Sequence, residues 1–283
     1  MEKLIITVAL TGNVPTREIN SNLPVTPDEI AADVKRCRDA GASVFHVHAR
    51  DAAQKPTLDI NAFKANARAI KASAPDVIIQ LSTGGRAGKD WEARANPIRL
   101  LPEMGSFTTG SNNLPGIVYE NSPPFLDFLA NVYRETGVKP EIEVFETGMI
   151  SNALFLQKKG YIHPPFHFDF VLGAPGAMSG TVKNLQFLSE SIPAGSTWSV
   201  AGIGKAEIPL SAAAITMGGH VRVGLEDNLF MPNGSMASNL LLVEKIVRIA
   251  REIGRDIATT DDARTILSLH PDHRDRILAR IKD

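Results

Sequence analysis

Short apolar runs alternate along the whole chain with longer stretches of helical period. The first run, residues 3–10, predicts a strand that closes on Thr11-Gly12-Asn13. Thr26-Pro27-Asp28-Glu29 then opens a helix. Thr26 suits the N-cap, Pro27 the first helical position, and Glu29 the acid of a capping box. That helix stops at Asp39-Ala40-Gly41. Val44-Phe45-His46-Val47-His48-Ala49-Arg50-Asp51 alternates apolar with polar side chains, as a strand does. Further strands are predicted over 76–82, 104–109, 141–146, 166–172, 197–203 and 221–228. Helices are predicted over 60–72, 124–136, 152–159, 183–189, 208–217 and 238–253. Residues 261–282 read as added C-terminal helices.

Eight strands with helices between them predict a (β/α)8 TIM barrel with extra C-terminal helices, one domain spanning 1–283. An open doubly wound sheet is the competing arrangement. There is no internal repeat or linker. Polar residues gather at or near the carboxyl ends of the predicted strands: Asn13, His48, Ser82, Ser106, Asn113, Glu143 and Glu226. A barrel builds its active site at that end.

Composition narrows the function. The 283 residues are 43% hydrophobic and carry a formal charge of −1 with no basic block, which argues against nucleic acid as a partner. The apolar runs are too short to span a bilayer, and Met1-Glu2-Lys3 leads into a strand rather than a signal peptide. The single cysteine, Cys37, falls in a helical run and reads as packing. A cytoplasmic enzyme fits that usage.

In a strand, residues two apart share a face, so His46 and His48 project together. The same rule puts Arg222, Gly224 and Glu226 on one face near the end of the last strand. Two imidazoles and one carboxylate are the ligand set of a catalytic zinc site with a position open for substrate. Other readings stand beside this one. Pairing with Arg222 would also relieve a buried Glu226. Asp227 could simply turn the chain, Glu143 could belong to a structural ion pair, and Ser82 and Ser106 could cap helices. Gly84-Gly85 and Gly202-Ile203-Gly204-Lys205 could cradle phosphates, although glycines at strand-to-helix turns are common for backbone reasons. No nucleotide fingerprint is complete.

Four motifs, HVHAR at 46–50, LSTGG at 81–85, EIEVFETGM at 141–149 and GGHVRVGLEDN at 218–228, carry a resemblance to the β-keto acid cleavage enzymes. It runs over nearly the whole chain, and the two outer motifs are the most specific. The resemblance implies a zinc-dependent barrel that condenses a β-keto acid with acetyl-CoA to give acetoacetate and a new acyl-CoA. Position by position, His46, His48 and Glu226 match the zinc ligands. Arg222, Asp227, Glu143 and Ser82 match the catalytic and binding residues. Ser106 falls where the family often has threonine, and either Ser106 or Thr108 would face the substrate. Asp227 is the candidate base, provided the chain turns after Glu226. Ser82 with a backbone N–H of Thr83 or Gly84 would steady oxyanions, and Asn13 would line the substrate pocket. The resemblance also implies a homo-oligomer, a tetramer among the possible forms, with the C-terminal helices as candidate interface.

Two other functions compete. One is a metal-dependent hydrolase resembling the amidohydrolases, with His167 as a later ligand. The other is a non-catalytic barrel that binds a small acid or CoA. The loop 13–16 holds no acid to pair with an ammonium group, which favours a neutral or acidic acyl chain. Arg86 and Arg50 could serve a second carboxylate, though solvated or structural arginines are the commoner case.

Overall fold

The structure is a computed structural model that describes residues 1–86 and 88–282. Eight strands close into a parallel barrel: β1 (Ile6–Ala9), β2 (Val44–Val47), β3 (Ile78–Leu81), β4 (Met104–Thr108), β5 (Lys139–Val144), β6 (His167–Leu172), β7 (Thr197–Gly202) and β8 (His220–Val223). They pair in chain order, and β8 returns to β1 with Thr7 opposite Arg222. Eight helices separate or follow them: α1 (Pro27–Ala40), α2 (Ile60–Ser73), α3 (Trp91–Arg99), α4 (Pro123–Thr136), α5 (Thr147–Lys158), α6 (Val182–Ser191), α7 (Glu207–Met217) and α8 (Asn239–Ile253). Two short helices, α9 (Thr260–Ile266) and α10 (Arg276–Arg280), complete the chain. The fold is the expected TIM barrel. No described helix is long and apolar enough to cross a membrane.

Local signals account for much of this. The box at the start of α1 forms, with Thr26 N donating to the Glu29 carboxylate at 2.9 Å and Glu29 N donating to Thr26 Oγ1 at 3.3 Å. Helix α3 went unpredicted because its face is mostly polar and Pro97 interrupts it; the Asp90 carboxylate caps it. Two antiparallel ribbons, Ala49–Arg50 with Pro56–Thr57 and Asn112–Leu114 with Ile117–Tyr119, were also not foreseen.

Alternation along the strands sorts the core. Phe45, Val47, Ile79, Phe107, Ile142, Phe168 and Phe170 join the main apolar cluster shared with the helices. The opposite faces of β2, β3 and β4 carry Val44, Ile78 and Met104, and these pack in a separate cluster with Ile5 and with Ala258, Ala263, Leu267 and Leu269. The C-terminal segment therefore plugs the barrel floor. Leu4 pairs with Ile257, Lys3 with Asp262 at 2.9 Å, and Arg264 with Glu103 at 2.7 Å. One face of α9, a candidate interface helix, packs inside the chain through Ala263, while Asp261 and Thr265 stay exposed.

Several strand boundaries differ from expectation: β1 starts at Ile6 rather than Lys3, and β2 ends at Val47 rather than running on to Asp51. β5 lies two residues earlier than predicted. β8 ends at Val223 rather than running through Glu226, because Gly224 adopts φ +148° and approaches Ala9 so closely that a Cβ would meet its carbonyl oxygen at 2.1 Å. Glu226 and Asp227 thus sit on a turn, with Asp227 N and Asn228 N both donating to Gly224 O at 3.0 Å. Strand alternation does not explain why Glu226 meets the histidines.

Candidate active site

Register brings β1, β2 and β3 together at one level, with Ala9 opposite His46 and His46 opposite Gln80. His46 Nδ1 lies 2.6 Å from Gln80 Oε1, so the ring donates from Nδ1 and keeps its lone pair on Nε2. His48 stands just past the end of β2, its carbonyl accepting from Asn66 Nδ2 at 3.1 Å. The two rings meet edge to face with their Nε2 atoms 3.1 Å apart. Glu226 reaches them from the turn after β8, with Oε1 at 3.2 Å from His48 Nε2 and Oε2 at 3.8 Å from His46 Nε2. Its backbone N–H donates to Ala9 O, and Gly12 leaves room for the side chain: a Cβ there would lie 2.5 Å from Glu226 Cγ.

The donor set fits a divalent cation. The three ligand atoms lie within 4.8 Å of one another. Burial lowers the His46 pKa to about 4, leaving a neutral imidazole at pH 7. Burial pushes Glu226 up, but His48, Arg222 and His46 outweigh it and hold the carboxyl well below its ordinary range. Its Oε2 is buried with no hydrogen-bond partner among the described residues. A neutral His46 ring and an ionised carboxylate with an unpartnered oxygen, converging with a second imidazole, fit a zinc-like ion. Glu141 and Glu143 also come near His46, but Glu141 is engaged by His167 and Glu143 by Arg222.

Arg222 organises the acids. Its Nε and Nη2 clamp both oxygens of Asp227 at 2.9 and 3.1 Å, Nη2 also reaches Glu226 at 2.9 Å, and Nη1 reaches Glu143 at 3.2 Å. Asp169 lies 3.6 Å away. One guanidinium thus faces four carboxylates in a buried site, an excess of negative charge that a bound cation or shared protons must offset. Burial accordingly lifts Asp227 to about 6, against the pull of Arg222, and lifts Glu143 and Asp169 as well. Burial alone would lower Arg222, but Asp227 and its neighbours hold it firmly charged.

A cavity of about 330 Å³ opens over this cluster. Asn13, His46, His48, Ser82, Gly84, Glu143, Arg222, Glu226 and Asp227 line it. Thr83, Ser106 and Thr108 stand behind the wall instead. The Thr83 N–H donates to Ser106 Oγ at 3.3 Å, and Thr108 hydrogen-bonds the Glu143 carboxylate and the Tyr119 hydroxyl. Neither backbone N–H expected as an oxyanion donor is free, because Gly84 N–H likewise donates, to Ser82 Oγ at 3.1 Å. In the Gly202–Lys205 segment the N–H groups of Ile203 and Gly204 are committed to Leu172 O and Asp227 O, each at 2.8 Å, so the segment braces the turn that carries Asp227. His167 lies 3.4 Å from Glu141 and 2.9 Å from Thr197, away from the histidine pair, so a hydrolase's later ligand is missing there. Sequence reasoning missed Gln80 and Tyr119. Gln80 had a signal, as the one polar residue inside an apolar strand.

A closed (β/α)8 barrel carrying an imidazole–imidazole–carboxylate cluster beside a guanidinium-clamped acid is the frame of a barrel enzyme, with a cluster compatible with a divalent cation. The family model for beta-keto acid cleavage enzymes matches residues 3–269, and the chain belongs to that family. It is 48% identical to a 3-keto-5-aminohexanoate cleavage enzyme of Fusobacterium nucleatum, over 95% of this chain and 99% of that one. It is 36% identical to a 3-oxoadipate:acetyl-CoA acetyltransferase of Cupriavidus necator, over 94% of each chain. Among solved structures, a ternary complex of ObcA with a C4-CoA adduct and oxalate superposes with a TM-score of 0.77 at 23% identity. It covers 88% of this chain and 68% of that one, and the likeness is one of fold.

Proposed function

We propose that the protein transfers an acyl group between a β-keto acid and acetyl-CoA, releasing acetoacetate and the CoA thioester of the remaining acyl chain. His46, His48 and Glu226 would hold zinc, which when bound supplies Lewis-acid polarisation of the keto group. Arg222 holds Asp227 at the cavity wall by two hydrogen bonds, where its carboxylate can take a proton from the carbon between the keto and carboxylate groups. Glu143 and Thr108 brace the far side of the same guanidinium.

The carbanion left on that carbon forms a carbon–carbon bond to the acetyl carbonyl and displaces CoA thiolate. The thiolate then adds to the original keto carbon, the older carbon–carbon bond breaks, and the carbanion released takes the proton back from Asp227 to leave as acetoacetate. Ser82, on the wall with its hydroxyl proton uncommitted to the Gly84 N–H it accepts, can donate to a developing oxyanion. The buried lone Cys37 accords with a cytoplasmic setting, and we keep a homo-oligomer as part of this reading.

The convergence of the histidine pair, Glu226 and the clamped Asp227 on one cavity carries the proposal. Its test is zinc-loaded protein, acetyl-CoA and a panel of β-keto acids, followed for acetoacetate. Asp227→Asn should cut the rate about 10²- to 10⁴-fold while zinc content stays unchanged. Inertness toward every keto acid would sink the reading.

A further inference from the structure

Outside the Arg222 cluster, the structure separates the roles of Arg50 and Arg86. Arg50 is consumed by backbone: its Nη1 and Nη2 donate to the carbonyls of Gln54, Gly12 and Pro15 at 2.8–2.9 Å and of Thr11 at 3.3 Å. It tethers the loop after β1. Arg86 is part-buried on the cavity wall, and among the described residues no carboxylate pairs with it. The turn that carries it starts against the metal end: a Cβ on Gly84 would lie 3.2 Å from Ser82 Oγ and 3.4 Å from His48 Cε1.

The rest of the wall decides what reaches Arg86. Val14, Leu114, Phe145, Val171 and Ile203 are apolar and suit a methylene chain. The carboxylates lining the cavity are Glu143, Glu226 and Asp227, and Arg222 binds all three. An ammonium group on the acyl chain would find no uncommitted acid there and would meet the Arg86 charge instead. An anionic group would find a planar fork of donors in a partly desolvated setting.

Resting on the β-keto acid reading above, we propose that Arg86 binds a carboxylate at the far end of the acyl chain. The preferred substrates are therefore β-keto dicarboxylic acids rather than amino-substituted β-keto acids. The inference runs against transfer by overall similarity, since the 48% relative is named for an amino-substituted acid and the 36% relative for a dicarboxylic one.

The experiment measures kcat/KM with 3-oxoadipate, a neutral six-carbon β-keto acid and 3-keto-5-aminohexanoate, together with the KM for acetyl-CoA. The wild-type protein should rank them in that order. Arg86→Gln should lower the ratio of dicarboxylate to neutral acid by about ten- to a hundredfold, the worth of a charge-assisted hydrogen bond. Arg86→Glu should shift the preference toward the amino-substituted acid. A ratio that does not move, a wild-type preference for the amino acid analogue, or a change confined to the KM for acetyl-CoA (an Arg86 that serves CoA phosphate) overturns the proposal and leaves the reaction intact. If no keto acid yields acetoacetate with wild-type protein, the reaction reading fails and this one with it.

Discussion

A metal-ligating imidazole needs its second nitrogen fixed, and His46, proposed above as a ligand, has such a partner in Gln80 at 2.6 Å. The amide oxygen accepts from Nδ1, which leaves the lone pair of Nε2 aimed at His48 and Glu226. Gln80→Leu removes the acceptor without adding bulk to the cavity. Zinc affinity, read by competition with a chromophoric chelator, should fall about 10- to 100-fold while the folded fraction holds. Unchanged affinity would show that the ring is oriented by packing alone. The histidines themselves were legible in the sequence, because a spacing of two on a strand is a local property. Gln80 was legible only as an oddity, since its use depends on which strand lies alongside.

At the scale of elements, the break after β8 decides where Glu226 and Asp227 go. Gly224 can take φ +148° against the Ala9 carbonyl, and the turn beyond it is pinned from two helices. Glu207 of α7 accepts from Gly224 N at 3.0 Å and Asn228 Nδ2 at 2.9 Å, and Asn239 of α8 accepts from Leu225 N at 2.8 Å. Gly224→Ala should destabilise by about 2–4 kcal/mol in urea unfolding, since both the backbone conformation and the contact with Ala9 must give. Gly148→Ala, in α5 with open space around it, serves as the control and should be neutral or slightly stabilising. Equal losses at both positions would refute the role given to the turn. Periodicity carried the last strand on to Glu226, because apolar and polar residues go on alternating through the turn; the backbone contact that stops it comes from β1.

Over the whole molecule, buried acids set the pH dependence of stability. Burial raises Glu207 to about 8 in the folded protein, against 4.5 for the exposed group. Between those values the folded state holds a proton that the unfolded state has lost. The contribution of Glu207 is therefore fully present below about pH 4.5 and disappears as pH rises through about 8. Across pH 5 to pH 8 the melting temperature of metal-free wild-type protein should fall relative to that of Glu207→Gln, a comparison in which the opposite contributions of the buried His46 and His220 are shared by both proteins. A difference between the two proteins that does not change with pH would contradict the assignment. The C-terminal plug belongs to this scale too: Ala263 and Leu267 close a floor formed by residues from four separate strands or strand edges, Ile5, Val44, Ile78 and Met104.

The chain's own pattern was enough for the alternation of strands and helices, the box that starts α1, the paired histidines and the four family motifs, because each arises from neighbours in sequence. Only closure of the barrel decided that Gln80 stands beside His46, that Glu226 arrives from a turn, that Arg50 serves the backbone while Arg86 faces the cavity, and that α9 seals the floor. Those outcomes depend on register and on close approaches between segments far apart in the chain, and no local preference encodes them.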